Sequence, residues 1–190
     1  MTKLPDDLQD VLNQIDAADR AADVLVEGLS DTQFHWQPNE GRSWSIGQCL
    51  EHIGNINDLY GSAVRSGVDL ARSRGWRRTG PMKSTRAGEW FIASQEPPVK
   101  RRLRAPSSVQ PQSTTSRTEV LAHYHDAHKR IRELIADCAD LDVNRAKFTN
   151  PFLSLIKVRV GTGLRIIPAH DRRHLWQADQ VKKAAGFPRS

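Results

Sequence analysis

The chain has 190 residues, 38% of them hydrophobic and 26% charged, with a formal net charge of +6. That profile fits one soluble globular domain, expected over 1–190, with enough core to fold without disulfide or metal staples. No apolar run approaches the ~20 residues that cross a bilayer. The start, MTKLPDDLQDV, lacks the basic-then-apolar layout of a signal peptide. A cytoplasmic protein with no membrane partner is expected. Cys49 and Cys138 both fall in helix-like stretches and read as free, buried thiols in a reducing compartment.

The first helix is predicted from Leu4, Leu8, Val11, Ile15, Ala18, Ala22, Leu25 and Leu29, which recur at steps of three and four. Asp6, Asp7 and Asp10 suit the positive end of its dipole, and Gly28 is its stop. A turn-rich segment, FHWQPNEGRSW, leads to Ser45-Ile-Gly-Gln48, a capping box. The second helix then runs to about Arg72. One of its stripes is Ile46, Ile53, Tyr60 and Val64; the other is Cys49, His52, Ile56, Leu59 and Ala63.

Residues 73–115 carry no helical period and are rich in Gly and Pro. A structureless loop of that length needs a reason, and a crossover strapped along a bundle supplies one. Trp76, Trp90 and Phe91 are its candidate anchors. Ser116-Arg-Thr-Glu119 opens the third helix, with Val120, Tyr124, Ala127, Ile131, Leu134 and Cys138 on one face. The last helix starts near Thr162, or later near Ile167, and ends before Gly186-Phe-Pro188. Pro168 inside it predicts a kink. Leu155–Val160 is the single alternating stretch, and it is short. There is no internal repeat. The expected fold is all-α: a four-helix bundle with a long crossover between helices two and three.

Charge is uneven along the chain. Residues 1–29 hold two basic and seven acidic side chains, whereas 65–104 hold eleven basic and three acidic ones. A basic segment can attract nucleic acid or an anionic substrate, but a solvated loop is the simpler reading. The segment lacks the aromatic platforms of single-strand binders, so nucleic acid is not the expected partner.

His170-Asp-Arg-Arg-His174 puts two imidazoles one helical turn apart on one face. That face continues through Ala178, Val181 and Ala185, so it points into the core. Alone, the spacing is a weak signal, and no Glu follows the first His as in zinc peptidases. His52 on a core stripe of a second helix strengthens it. Three buried imidazoles without partners would be costly, and one cation satisfies a nitrogen on each. Such a site leaves coordination positions open, the mark of catalytic zinc sites. Imidazole ligands do not choose among Zn, Ni, Fe and Cu.

Trp44-Ser-Ile-Gly-Gln-Cys-Leu-Glu-His52 resembles the helix-two motif of the DinB-like (YfiT-type) superfamily. His170-Asp-Arg-Arg-His-Leu-Trp-Gln177 resembles its last-helix motif. The likeness spans nearly the whole chain, including Leu29-Ser-Asp, Trp36-Gln-Pro38 and the crossover end Pro97–Pro106. The resemblance implies a four-helix bundle whose metal ligands carry over to His52, His170 and His174. It also implies a homodimer. The expected cofactor is one divalent transition metal, Zn or Ni ahead of Fe. The implied activity is a metal-dependent enzyme that transfers or uses a low-molecular-weight thiol on a small electrophile. The alternatives are a metal-dependent hydrolase with a water nucleophile and a non-catalytic stress-response module. Trp176 stands where the iron-dependent branch fused to sulfoxide synthases has an acidic residue, which argues against that branch.

Gln48, Asn55 and Arg173 are candidate helpers at the open position, although Gln48 is more simply spent on its capping box. Glu51 reads as a surface charge, and Cys49 as a small buried hydrophobe. Asp171 reads as the partner of a nearby Arg. Arg172 and Arg173 read as structural, Trp176 and Gln177 as packing and capping. His123, His125 and His128 read as solvated histidines rather than a second metal site.

Overall fold

The computed structural model describes residues 3–99, 105–112 and 115–189. Its four long helices are α1 (Asp6–Val26), α3 (Ile46–Ser73), α5 (Arg117–Ala136) and α6 (Val160–Lys182). A short α2 (Asp31–His35) precedes α3, and α4 (Arg86–Gln95) lies between α3 and α5. Each of α1 and α3 packs on both α5 and α6, which closes a four-helix bundle. The apolar periodicity of α1 is buried as expected, from Leu8 through Leu25. Both predicted capping boxes form, Ser45 with Gln48 and Ser116 with Glu119. A third joins Ser30 and Gln33 at the start of α2. The last helix begins at Val160, two residues before Thr162, and runs continuously through Pro168.

The crossover differs from expectation because it contains a helix. Thr85 caps α4, its Oγ1 accepting from Gly88 N at 3.1 Å. The helix then packs along α6. Arg165 holds Glu89, and Arg172 holds Glu96 through Nε to Oε2 at 2.9 Å. Only Ile92 and Gln95 are buried in α4, while Trp90 is 72% and Phe91 41% exposed. Of the three aromatic anchors expected, Trp76 alone packs against the core. Upstream of α4 the crossover is tied to α1: Asp7 accepts from Arg78 Nη2 at 2.6 Å and from Met82 N at 2.5 Å. The most basic stretch, Lys100-Arg-Arg-Leu-Arg104, and residues 113–114 lie outside the described residues.

A second difference is a small hairpin. β1 (Lys147–Thr149) pairs antiparallel with β2 (Lys157–Arg159), with Phe148 opposite Val158. Phe148 is buried beside α3 and α6. Gly163 makes this approach feasible, because a Cβ there would meet Phe148 Cε1 at 2.6 Å. Among the described residues, no helix is long and apolar enough to cross a membrane.

The core falls into two clusters, one containing Leu8, Ile15, Tyr60, Ile131 and Leu164, the other Ala22, Phe34, Leu50, Tyr124 and Ala178. Near the boundary between them each long helix carries a polar residue: Asp19, Asn57, His128 and Asp171. His128 is fully buried, its Nδ1 on Asp19 and its Nε2 3.3 Å from Asp171 Oδ2. Asn57 Nδ2 donates to Asp171 Oδ1 at 3.2 Å. The solvated reading of His128 is therefore corrected, and so is the Arg partner expected for Asp171. His123 instead meets Asp58 at 3.0 Å, and His125 meets Asp23 at 3.3 Å, both near the surface.

Candidate metal centre

Helix α3 packs along α6. His52 projects from α3, four residues before Ile56 on the buried stripe. His170 and His174 project from α6, one turn apart. The structure brings all three together. One nitrogen from each lies within 4.8 Å of the other two, a grouping that could hold a metal ion. Ring centroids are 4.5 Å apart for His52–His174 and His170–His174, and 5.3 Å for His52–His170. His52 and His174 are 2% and 7% exposed, and His170 is half-buried.

Two of the rings are oriented by acceptors on their far side. His52 Nδ1 donates to the carbonyl of Val109 at 2.7 Å. His174 Nδ1 lies 3.1 Å from Gln177 Oε1. Acceptors there put the proton on Nδ1 and leave Nε2 with its lone pair free, the arrangement typical of metal-binding histidines. His170 Nδ1 is buried and has no hydrogen-bond partner. An orphaned buried nitrogen beside two oriented imidazoles is what a cation would satisfy, so these residues fit a metal.

The electrostatics agree. Burial pushes His170 down to about 3, helped by the charges of His52 and Arg173. Burial likewise holds His174 well below the ordinary imidazole value. For His52 burial outweighs the opposing bond to Val109, and its value is also lowered. All three rings are neutral near pH 7, the form that binds metal.

Trp44 forms one wall, its ring 4.8 Å from His52 and 5.8 Å from His174. The crossover forms another. Its 3-10 turn (Ser107–Val109) carries the fully buried Val109, whose carbonyl holds His52. Thr115 Oγ1 donates to Glu51 Oε1 at 3.0 Å, so Glu51 is buried and not the surface charge expected. Gln48 Oε1 accepts from Ser45 N at 3.0 Å and from Gln37 Nε2 at 2.8 Å, which occupies it away from the triad. Asn55 is half-buried. Arg173 Nη1 donates to Ser94 O at 3.3 Å, and its charge is felt at His170 and His174. Gln177 sits three residues after His174, a spacing that signals the contact. Val109 contributes a backbone oxygen and left no signal in the sequence.

A family model for the DinB superfamily matches residues 14–178, a span that contains all three histidines and the crossover. The chain belongs to the DinB superfamily. Neither a curated protein nor a solved structure matches it significantly. The bundle, the three-histidine grouping and the family agree on a metal-binding DinB-like protein.

Proposed function

We propose that His52, His170 and His174 hold one divalent transition metal, Zn or Ni ahead of Fe, and that this DinB-like protein is an enzyme. Its chemistry would join a low-molecular-weight thiol to a small electrophile, or use that thiol to transform one. The observation that carries the reading is the donor set: three neutral imidazoles with no protein carboxylate or thiolate among them. A divalent cation there would supply the positive charge that favours a thiolate over a thiol at neutral pH.

The chain's own thiols are poor candidates for the nucleophile. Cys49 is fully buried and its thiol is pushed far up. Cys138 is also buried, its thiol raised to about 12. The reactive sulfur would therefore arrive on a diffusible molecule. Arg173, near the histidines, is the side chain best suited to attract a carboxylate on that thiol. A hydrolase reading needs a general base near the triad. The nearest acidic side chains in sequence are engaged, Glu51 by Thr115 and Asp171 by His128 and Asn57. The same proposal carries a homodimer in a reducing intracellular setting, where two free buried cysteines are stable.

The test is turnover of electrophiles with candidate thiols by metal-loaded protein and by His174→Ala. Thiol-dependent, metal-dependent turnover lost in the variant is expected. Ester or amide cleavage without thiol would establish the hydrolase instead. Metal binding with no turnover of either kind would establish a non-catalytic module.

A further inference from the structure

The hairpin between α5 and α6 has no part in the metal site. Its tip, residues 150–156, is an ordered turn. Asn150 Oδ1 accepts from Phe152 N at 2.8 Å and from Leu153 N at 3.1 Å, and Ile156 N donates to Leu153 O at 2.8 Å. This hydrogen-bonded turn presents its aliphatic side chains outward: Leu155 is 98% exposed, Leu153 56% and Ile156 48%. Single exposed leucines are ordinary, but three on one preformed turn mark an interaction site.

The strands beneath the tip are cationic on one face. Lys147 stands directly opposite Arg159, and Thr149 opposite Lys157. Like charges facing each other across a strand pair are destabilising unless something anionic neutralises them. Among the described residues, none of Lys147, Lys157 and Arg159 has an ion-pair partner. The nearby Arg145 is stacked over Trp76, its guanidinium carbon 4.3 Å from the ring centroid. Between Asp142 and Asp171 the chain has five basic residues and no acidic one.

We infer that this hairpin docks the protein on an anionic lipid surface, with Leu153, Leu155 and Ile156 entering the interface and Lys147, Lys157 and Arg159 meeting the headgroups. Surface docking needs no spanning helix, and it departs from the expectation of no membrane partner. The chemistry favours lipid over other anionic partners. Aliphatic side chains gain from the acyl boundary, and cations beside them gain from anionic headgroups. A single-stranded nucleic acid would call for an exposed aromatic platform, whereas Phe152 is half-buried against the core, and a duplex would gain nothing from the exposed aliphatic tip. A second copy docked about a two-fold axis would bring two cationic faces together.

The experiment is flotation of the full chain with phosphatidylcholine vesicles and with vesicles containing equal parts of phosphatidylcholine and phosphatidylglycerol. Binding only to the anionic vesicles, weakening as salt rises, is expected. Lys157→Glu should weaken it at least about tenfold, and Leu155→Ser with Ile156→Ser should abolish it. Both variants alter exposed side chains, so metal content should stay unchanged and neither variant should melt earlier than the native chain. Absence of binding to anionic vesicles at low salt overturns the inference. So does binding that survives the double serine variant. A dimer in sedimentation that the double variant abolishes would assign the tip to self-association instead. DNA binding lost with Lys157→Glu but kept in the double variant would assign the cationic face to nucleic acid.

Discussion

His52 Nδ1 donates to the Val109 carbonyl at 2.7 Å, across 57 residues of sequence. The bond ties the returning end of the crossover to the one histidine contributed by α3. The crossover thus does more than connect α3 to α5: it fixes the tautomer of a candidate ligand and covers that side of the site.

Val109→Ala removes two buried methyl groups from beneath the strap. It should destabilise the fold by about 1–3 kcal/mol and weaken metal binding about tenfold as the carbonyl loses its fixed position. Chemical denaturation and competition against a chelator measure the two effects. A loss of stability with metal affinity intact would show that the strap only packs.

Gln177→Leu tests the other oriented ring. Its side chain is half-buried and accepts from His174. Metal affinity should fall about 10–100-fold with little change in melting temperature. Calorimetric titration with Zn and Ni is the measurement; unchanged affinity would mean His174 needs no such orientation.

The buried layer makes stability depend on pH in a defined direction. For His128, burial opposes the charged form, but the charges of Asp171 and Asp19 outweigh it and raise the group from 6.5 to about 9. A raised imidazole contributes stability that is complete below about 6.5 and is lost as pH climbs through about 9. Asp19 is also burdened by burial, yet bonds from His128 and Arg132 hold it below its ordinary 3.8. Its contribution is present above that value and fades only in stronger acid. The melting temperature should therefore decline on the alkaline side. His128→Gln should lose about 3–5 kcal/mol near neutrality, because it leaves buried carboxylates unpaired. It should also flatten the alkaline decline. A variant whose profile parallels that of the native chain from pH 6 to 10 would refute the assignment.

Gly163→Ala probes the contact that seats the hairpin. The new methyl would stand 2.6 Å from Phe148 Cε1 and 3.1 Å from Val64 Cγ2. Overpacking of this kind costs about 1–3 kcal/mol, and metal content should be unaffected, since the triad lies further along α6. Equilibrium unfolding compared with metal analysis would separate the two.

Much of this was legible in the sequence for physical reasons. The long helices announce themselves through three- and four-residue apolar steps, and their starts through side chains that satisfy their own backbone, as Ser45 and Gln48 do. The triad was legible because His170 and His174 share a helical face and His52 sits on a buried stripe. These are properties of a single helix, and a single helix is a local object. Helix α4 leaves no apolar period in the sequence because it buries only Ile92 and Gln95 and is held to α6 by Arg165 and Arg172. That attachment exists only once α6 is in place.

The remaining features were decided by the tertiary structure. Asp171 reads equally well as a surface ion pair or a buried anchor until α1, α3 and α5 surround it. His128 reads as solvated until Asp19 and Asp171 close on it from two other helices. Val109 reaches the candidate metal site through its backbone oxygen, a group every residue carries, so no side-chain pattern could mark it. The sequence determined which helices form and which histidines face inward, because periodicity and capping are written in neighbouring residues. Which groups meet across those helices was settled only by packing, where burial leaves each polar atom to find a partner far away along the chain.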